Sequence, residues 1–144
     1  MNKVFRNKSL SPDAYIGHVE FDGKVYENRL GPDKFVGHVE LDSGKIYGPG
    51  LNNYLGTVAL DSGKVYRHKP LAPDEHLGHV DGDGKFYRQR FGPDEYIGQI
   101  EGATNYALSG AAFMLLVWPE IEKEIADAQA KKDAEGEEAL REED

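Results

Sequence analysis

One phrase returns along this chain roughly every twenty residues, and it limits the possible folds more than any other feature. Its first half is Ile16-Gly17-His18-Val19-Glu20 and its second half, after a turn, is Gly23-Lys24-Val25-Tyr26. The Gly of the first half recurs at Gly17, Gly37, Gly56, Gly78 and Gly98, and the Tyr of the second at Tyr26, Tyr47, Tyr66, Tyr87 and Tyr106. Five hairpin-sized units therefore fill residues 10 to 106. Units so small cannot bury a core singly, so they must pack on one another and share one.

Within a unit the apolar period is two, which is the alternation of a strand. Val19 and Phe21, or Val39 and Leu41, fall on one face, and His18 and Glu20, or His38 and Glu40, on the other. Asp22-Gly23 and Asp83-Gly84 predict two-residue primed turns, and Asp42-Ser43-Gly44 and Asp61-Ser62-Gly63 three-residue turns ending in a left-handed Gly. Between units stand Ser11-Pro12-Asp13, Gly31-Pro32-Asp33, Ala72-Pro73-Asp74 and Gly92-Pro93-Asp94, where Pro presets the turn and Asp caps it. The third linker, Gly48-Pro49-Gly50-Leu51-Asn52-Asn53, lacks the Pro-Asp pair. The second-strand motif also precedes the first unit, as Lys3-Val4-Phe5, and with Asn105-Tyr106 as the last strand about eleven strands are expected. A row of hairpins left open exposes two pairing edges, and joining the N-terminal strand to the last hairpin removes both. A mainly β fold follows: antiparallel hairpins closing into a shallow barrel.

After the repeats comes Ala107-Leu108-Ser109-Gly110-Ala111-Ala112-Phe113-Met114-Leu115-Leu116-Val117-Trp118, apolar almost all round. As a helix it spans about 18 Å, short of the roughly 30 Å of a bilayer core. A helix apolar on every side is buried on every side. The barrel axis offers the place, with the Gly row in register to admit it, so residues 1–118 are expected to form one body plugged by helix 107–118. Entry into a membrane or a partner is the alternative. Pro119 then marks the first turn of a new helix or a kink, and a charged helical tail follows, 119–144, with Asp127–Lys131 and Glu137–Arg141 as supporting pairs.

The formal charge of −9 is concentrated in that tail, where eleven acidic side chains face four basic ones. The repeat body is nearly neutral, so it offers no basic footprint for nucleic acid. Absence of cysteine removes thiolate metal sites and cysteine chemistry, and fits a reducing compartment. With no secretory pattern at Met1-Asn2-Lys3-Val4-Phe5-Arg6, a cytoplasmic location is expected.

The Gly-x-Val-Glu…Gly-Lys-Val-Tyr units, the Pro-Asp linkers and the terminal apolar helix resemble the bacterial β-flower proteins, in particular the 4-fold β-flower domain. The resemblance covers residues 3 to 118. It implies a shallow radial barrel akin in shape to tubby-like and scramblase folds, with a hydrophobic helix inside, and no established activity.

Three recurring polar sets are the candidate sites. His18, His38 and His79 share a repeat position, but equivalent residues two strands apart lie roughly 9–10 Å from one another, too far to ligate one ion, so no metal is expected. Lys24, Lys45, Lys64 and Lys85, with Lys3, would form a basic crown on one rim, a candidate surface for anionic headgroups or a device for soluble turns. Asp13, Asp33, Asp74 and Asp94 sit in equivalent settings, unlike a catalytic pair. No nucleophile elbow, zinc-protease motif or phosphate loop occurs. The expectation is a non-enzymatic structural or interaction module without a cofactor, open to a protein partner or self-association; the alternative is peripheral lipid binding.

Overall fold

A computed structural model describes residues 1–8, 10–102 and 105–142, with side chains to residue 136. Ten strands appear: β1 (Asn2–Arg6), β2 (Ala14–Val19), β3 (Lys24–Glu27), β4 (Lys34–Val39), β5 (Lys45–Tyr47), β6 (Tyr54–Val58), β7 (Lys64–Arg67), β8 (Glu75–Val80), β9 (Lys85–Arg88) and β10 (Glu95–Ile100). Each pairs antiparallel with its chain neighbour, and β1 pairs with β10, so the sheet closes. Closure leaves no open edge among the described strands.

The count is ten rather than eleven because Asn105-Tyr106 does not form a strand. Asn105 caps a helix, its side-chain oxygen accepting the Leu108 N–H at 2.9 Å, and Tyr106 is the first helical residue. The strand that β10 would otherwise want comes from the start of the chain. Glu101 N–H donates to the Lys3 carbonyl at 2.9 Å, as Glu20 N–H donates to the Lys24 carbonyl at 2.8 Å within the first hairpin. The fifth hairpin is thus assembled from both ends of the repeat region.

The hairpin turns are longer than expected. Pairing of Glu20 with Lys24 and of Asp81 with Lys85 leaves three residues in each loop, while Glu40–Lys45 and Ala59–Lys64 leave four. Only the closing Gly has positive φ, as at Gly23 (96°) and Gly44 (78°), so these are not primed turns. Phe21 and Leu41 consequently lie in loops and are 68% and 42% exposed, instead of facing the core beside Val19 and Val39. The turn Gly has a second duty: its carbonyl accepts the N–H of the next hairpin's Val, as from Val39 to Gly23 at 3.0 Å and from Val58 to Gly44 at 2.9 Å.

Every strand contributes a residue exposed by 3% or less: Val4, Val19, Val25, Val39, Ile46, Val58, Val65, Val80, Phe86 and Ile100. They form one cluster with the C-terminal helix, whose residues 107–118 are all buried. The helix touches strands around the ring, with Gly110 against Val58, Leu115 near Gly37 and Phe113 5.9 Å from Phe86 between ring centroids.

The row Gly17, Gly37, Gly56, Gly78, Gly98 owes less to that helix than to the sheet. Next to each, the register slips by one residue where neighbouring hairpins pair, so Ile16, Val36, Leu55, Leu77 and Ile97 are bulged residues. A Cβ on any of these glycines would first meet the backbone carbonyl of Tyr26, Tyr47, Tyr66, Tyr87 or Phe5. At Gly17, Gly37 and Gly56 a helix side chain comes next: Leu116, Leu115 and Met114.

The helix does not break at Pro119. It runs as α1 (Tyr106–Ala112), a π-helical stretch (Phe113–Val117) and α2 (Trp118–Glu142). The Trp118 N–H reaches back to the Phe113 carbonyl, one residue further than in an α-helix. That widened turn gives the proline ring room and needs no N–H from it. No described helix is long and apolar enough to cross a membrane. The pair expected at Glu137–Arg141 lies outside the described side chains.

Candidate functional site

Alternation of chain direction sorts the loops onto two rims. The hairpin turns form the first rim, where the chain leaves β10 and the helix begins, with Tyr106 next to Gly63. The inter-hairpin linkers form the second. The helix leaves there, held on two sides by Arg67 with Glu122 and by Arg6 with Glu124.

Lys3, Lys24, Lys45, Lys64 and Lys85 are all exposed and stand together on the first rim. The ring of lysines is real, yet it does not make the rim basic. Glu20, Asp22, Glu40, Asp42, Asp61, Asp81, Asp83 and Glu101 occupy the same turns, eight carboxylates against five ammonium groups. Lys24 Nζ already lies 3.8 Å from Asp22. Turn chemistry places those acids: Asp22 accepts the Lys24 N–H at 3.1 Å and Asp81 that of Lys85 at 3.0 Å.

The histidines lie on the outer wall. His18, His38 and His79 each stack on the tyrosine of the following strand, Tyr26, Tyr47 and Tyr87, with centroids 5.2, 5.2 and 5.0 Å apart. His18 and His79 also approach a carboxylate from the next linker, Asp33 and Asp94, both at 3.5 Å. Asp33 and Asp94 thus approach a histidine of the preceding hairpin, whereas Asp74 lies 3.3 Å from His68 of its own linker. Asp13 accepts from Gln99 at 3.3 Å and Tyr96 at 3.1 Å, across the junction with the last hairpin, and from Asn7 of its own linker at 2.8 Å. Burial first, and the bond to Asp13 second, push the Tyr96 phenol up to about 12.

Several groups on the second rim escaped the sequence reading. Arg6, 5% exposed, donates to the carbonyls of Asn7 and Ile97 and to both oxygens of Glu124. Trp118 Nε1 donates to Glu122 at 2.8 Å, and the Arg67 guanidinium lies 5.8 Å from the Trp118 ring centroid. A cleft of about 340 Å³ opens between the helix and the first hairpin, walled by Ile16, Leu115, Leu116 and Pro119. Glu120 lines it with one oxygen buried and unpartnered, and desolvation raises its carboxyl pKa. Carboxylates there are balanced by nearby cations, since Lys8 and Arg6 counter the effect of Glu124 and Glu27.

The linkers also carry five bare apolar side chains, Leu10, Leu30, Leu51, Leu71 and Phe91. Leu10 and Leu71 adopt left-handed backbone, φ 66° and 61°. That conformation costs a β-carbon residue roughly 1–2 kcal/mol. Recurrence of Leu or Phe ahead of each linker's polar residues was the signal available in the sequence.

The class this geometry defines is a closed ten-strand antiparallel barrel of hairpins followed by a C-terminal helix that packs against it. Compared with known proteins, the chain matches no family model, no curated protein and no solved structure.

Proposed function

We propose that this chain is a non-enzymatic structural or interaction module of the β-flower type, in which helix 107–118 serves as the barrel's own plug and binding falls to the rims and the acidic tail. The observation that carries this reading is the burial of Ala107–Trp118 in one cluster with a residue from every strand. A lumen lined by small β-branched residues and filled by alanines, leucines and Phe113 has its ligand-sized space taken by the chain itself. The alternative, peripheral lipid binding through Lys24, Lys45, Lys64 and Lys85, draws less support, because the carboxylates of the same turns outnumber the lysines.

Truncation to residues 1–106 tests the plug. Short strands bury too little among themselves, so the shortened chain should aggregate or bind a hydrophobic dye. A soluble monomer of 1–106 that melts cooperatively would refute the reading.

A further inference from the structure

The second rim carries a feature that folding does not use. Leu10, Leu30, Leu51, Leu71 and Phe91 are 107, 104, 93, 108 and 105% exposed, one at the tip of each linker. Turn tips favour Gly, Asn, Asp and Ser, which either adopt the backbone or bond to it. Here an apolar side chain stands at the equivalent place five times and touches nothing. On the first rim the exposed apolar side chains are less bare: Met1, Phe21, Leu41 and Leu60 are 57, 68, 42 and 41% exposed.

What can cover these tips is narrowed by α2, which rises through the middle of their ring. Beyond Glu124, which pairs with Arg6, it continues to Glu142, about 27 Å at helical rise. A flat bilayer reaching the tips would have to swallow that charged helix, at a cost of several kcal/mol for its ionised groups. A second copy facing rim to rim is held off by the same length. Only a partner that runs alongside α2 reaches the ring. Side chains 125–136 of α2 are all exposed, Ile125 at 45%, so this flank is open to a partner. Beyond Glu124, α2 carries six acids against three bases, which favours a basic partner, and the tips call for an apolar side to it.

We propose that the second rim and α2 together dock a basic, amphipathic helical segment of a protein partner, which lies along the acidic helix and seats its end among the exposed tips. This rests on the reading of the chain as an interaction module and names its surface.

The test uses the full chain and a fluorescent 18-residue Leu/Lys peptide of amphipathic helical pattern, followed by anisotropy at low and physiological salt. Binding should survive physiological salt and weaken by about tenfold or more when Leu30, Leu71 and Phe91 are changed to Ser. Serine at Phe21, Leu41 and Leu60, on the other rim, should change it by less than about twofold, and a Leu/Glu peptide should not bind. The tips make no contacts, so the Leu30/Leu71/Phe91 variant should melt like the parent and remain a fair comparison. Absence of binding, equal loss from either rim, or a tip variant that binds like the parent would overturn the proposal. Tip-dependent flotation with phosphatidylcholine/phosphatidylserine vesicles would assign the ring to a bilayer instead. Each of these failures leaves the self-filled barrel to be judged by its own truncation result.

Discussion

Gly56→Ala offers the sharpest test of how the barrel is built. A Cβ at this position would press on the Tyr66 carbonyl, lie 2.6 Å from Met114 Cε and 3.1 Å from Arg67 Cα. Met114 can swing aside, but the carbonyl and Cα belong to the paired strand β7 and move only if the ladder moves. Overpacking of this kind costs typically about 1–3 kcal/mol, and the backbone partner places Gly56 toward the upper end. For a chain of this size about 2–4 °C of melting temperature is lost per kcal/mol, so a fall of roughly 6–10 °C is expected by calorimetry. Gly78→Ala should cost about as much, because the nearest atoms its Cβ would meet are all backbone, of Tyr87 and Arg88. Gly50→Ala is the control: its φ is 96° and nothing lies within 4 Å, so only the left-handed strain of about 1–2 kcal/mol applies. Melting temperatures for Gly56→Ala and Gly78→Ala no lower than that of Gly50→Ala would refute the argument that bulge geometry requires the glycine row.

Phe113→Ala removes a fully buried ring between Phe86 and Trp118 and should cost about 3–5 kcal/mol in urea unfolding. Arg6→Met strips two carbonyls and Glu124 of a buried donor and should lower stability by about 1.5–3 kcal/mol in the same assay. Glu120→Gln should raise the melting temperature at pH 7. Its carboxyl pKa is raised on folding, so the group's contribution is present below the unfolded carboxylate range and lost as pH rises, and the neutral amide escapes that loss. Tyr96 follows the same sign at alkaline pH: the folded phenol sits near 12 against 10.0, so stability should decline between those values, and less steeply in Tyr96→Phe.

Much of this architecture is legible in the sequence because its determinants are local. Alternation about Val19, Val39 and Val58, glycine at the turns and the all-round apolar run from Ala107 to Trp118 each act within a few residues, and they lead to hairpins, closure and a buried helix. Equal repeat positions likewise place the lysines on one rim. Tertiary structure alone decided what depends on residues distant in the chain. Whether Phe21 pairs or loops out is settled by the register of Glu20 with Lys24, and the bulge at Ile16 by how one hairpin meets its neighbour. Strand β1 takes the place expected of Tyr106 because closing the ring leaves β10 one partner short, and the chain's other end carries the matching Lys-Val-Phe. Asp33 reads as a cap from its own neighbours but faces His18, fifteen positions earlier, only once the hairpins stand side by side. The same holds for the second rim: a leucine before Pro-Asp looks like any core residue in the sequence, and it stands bare because the linker carries it beyond the last strand pair.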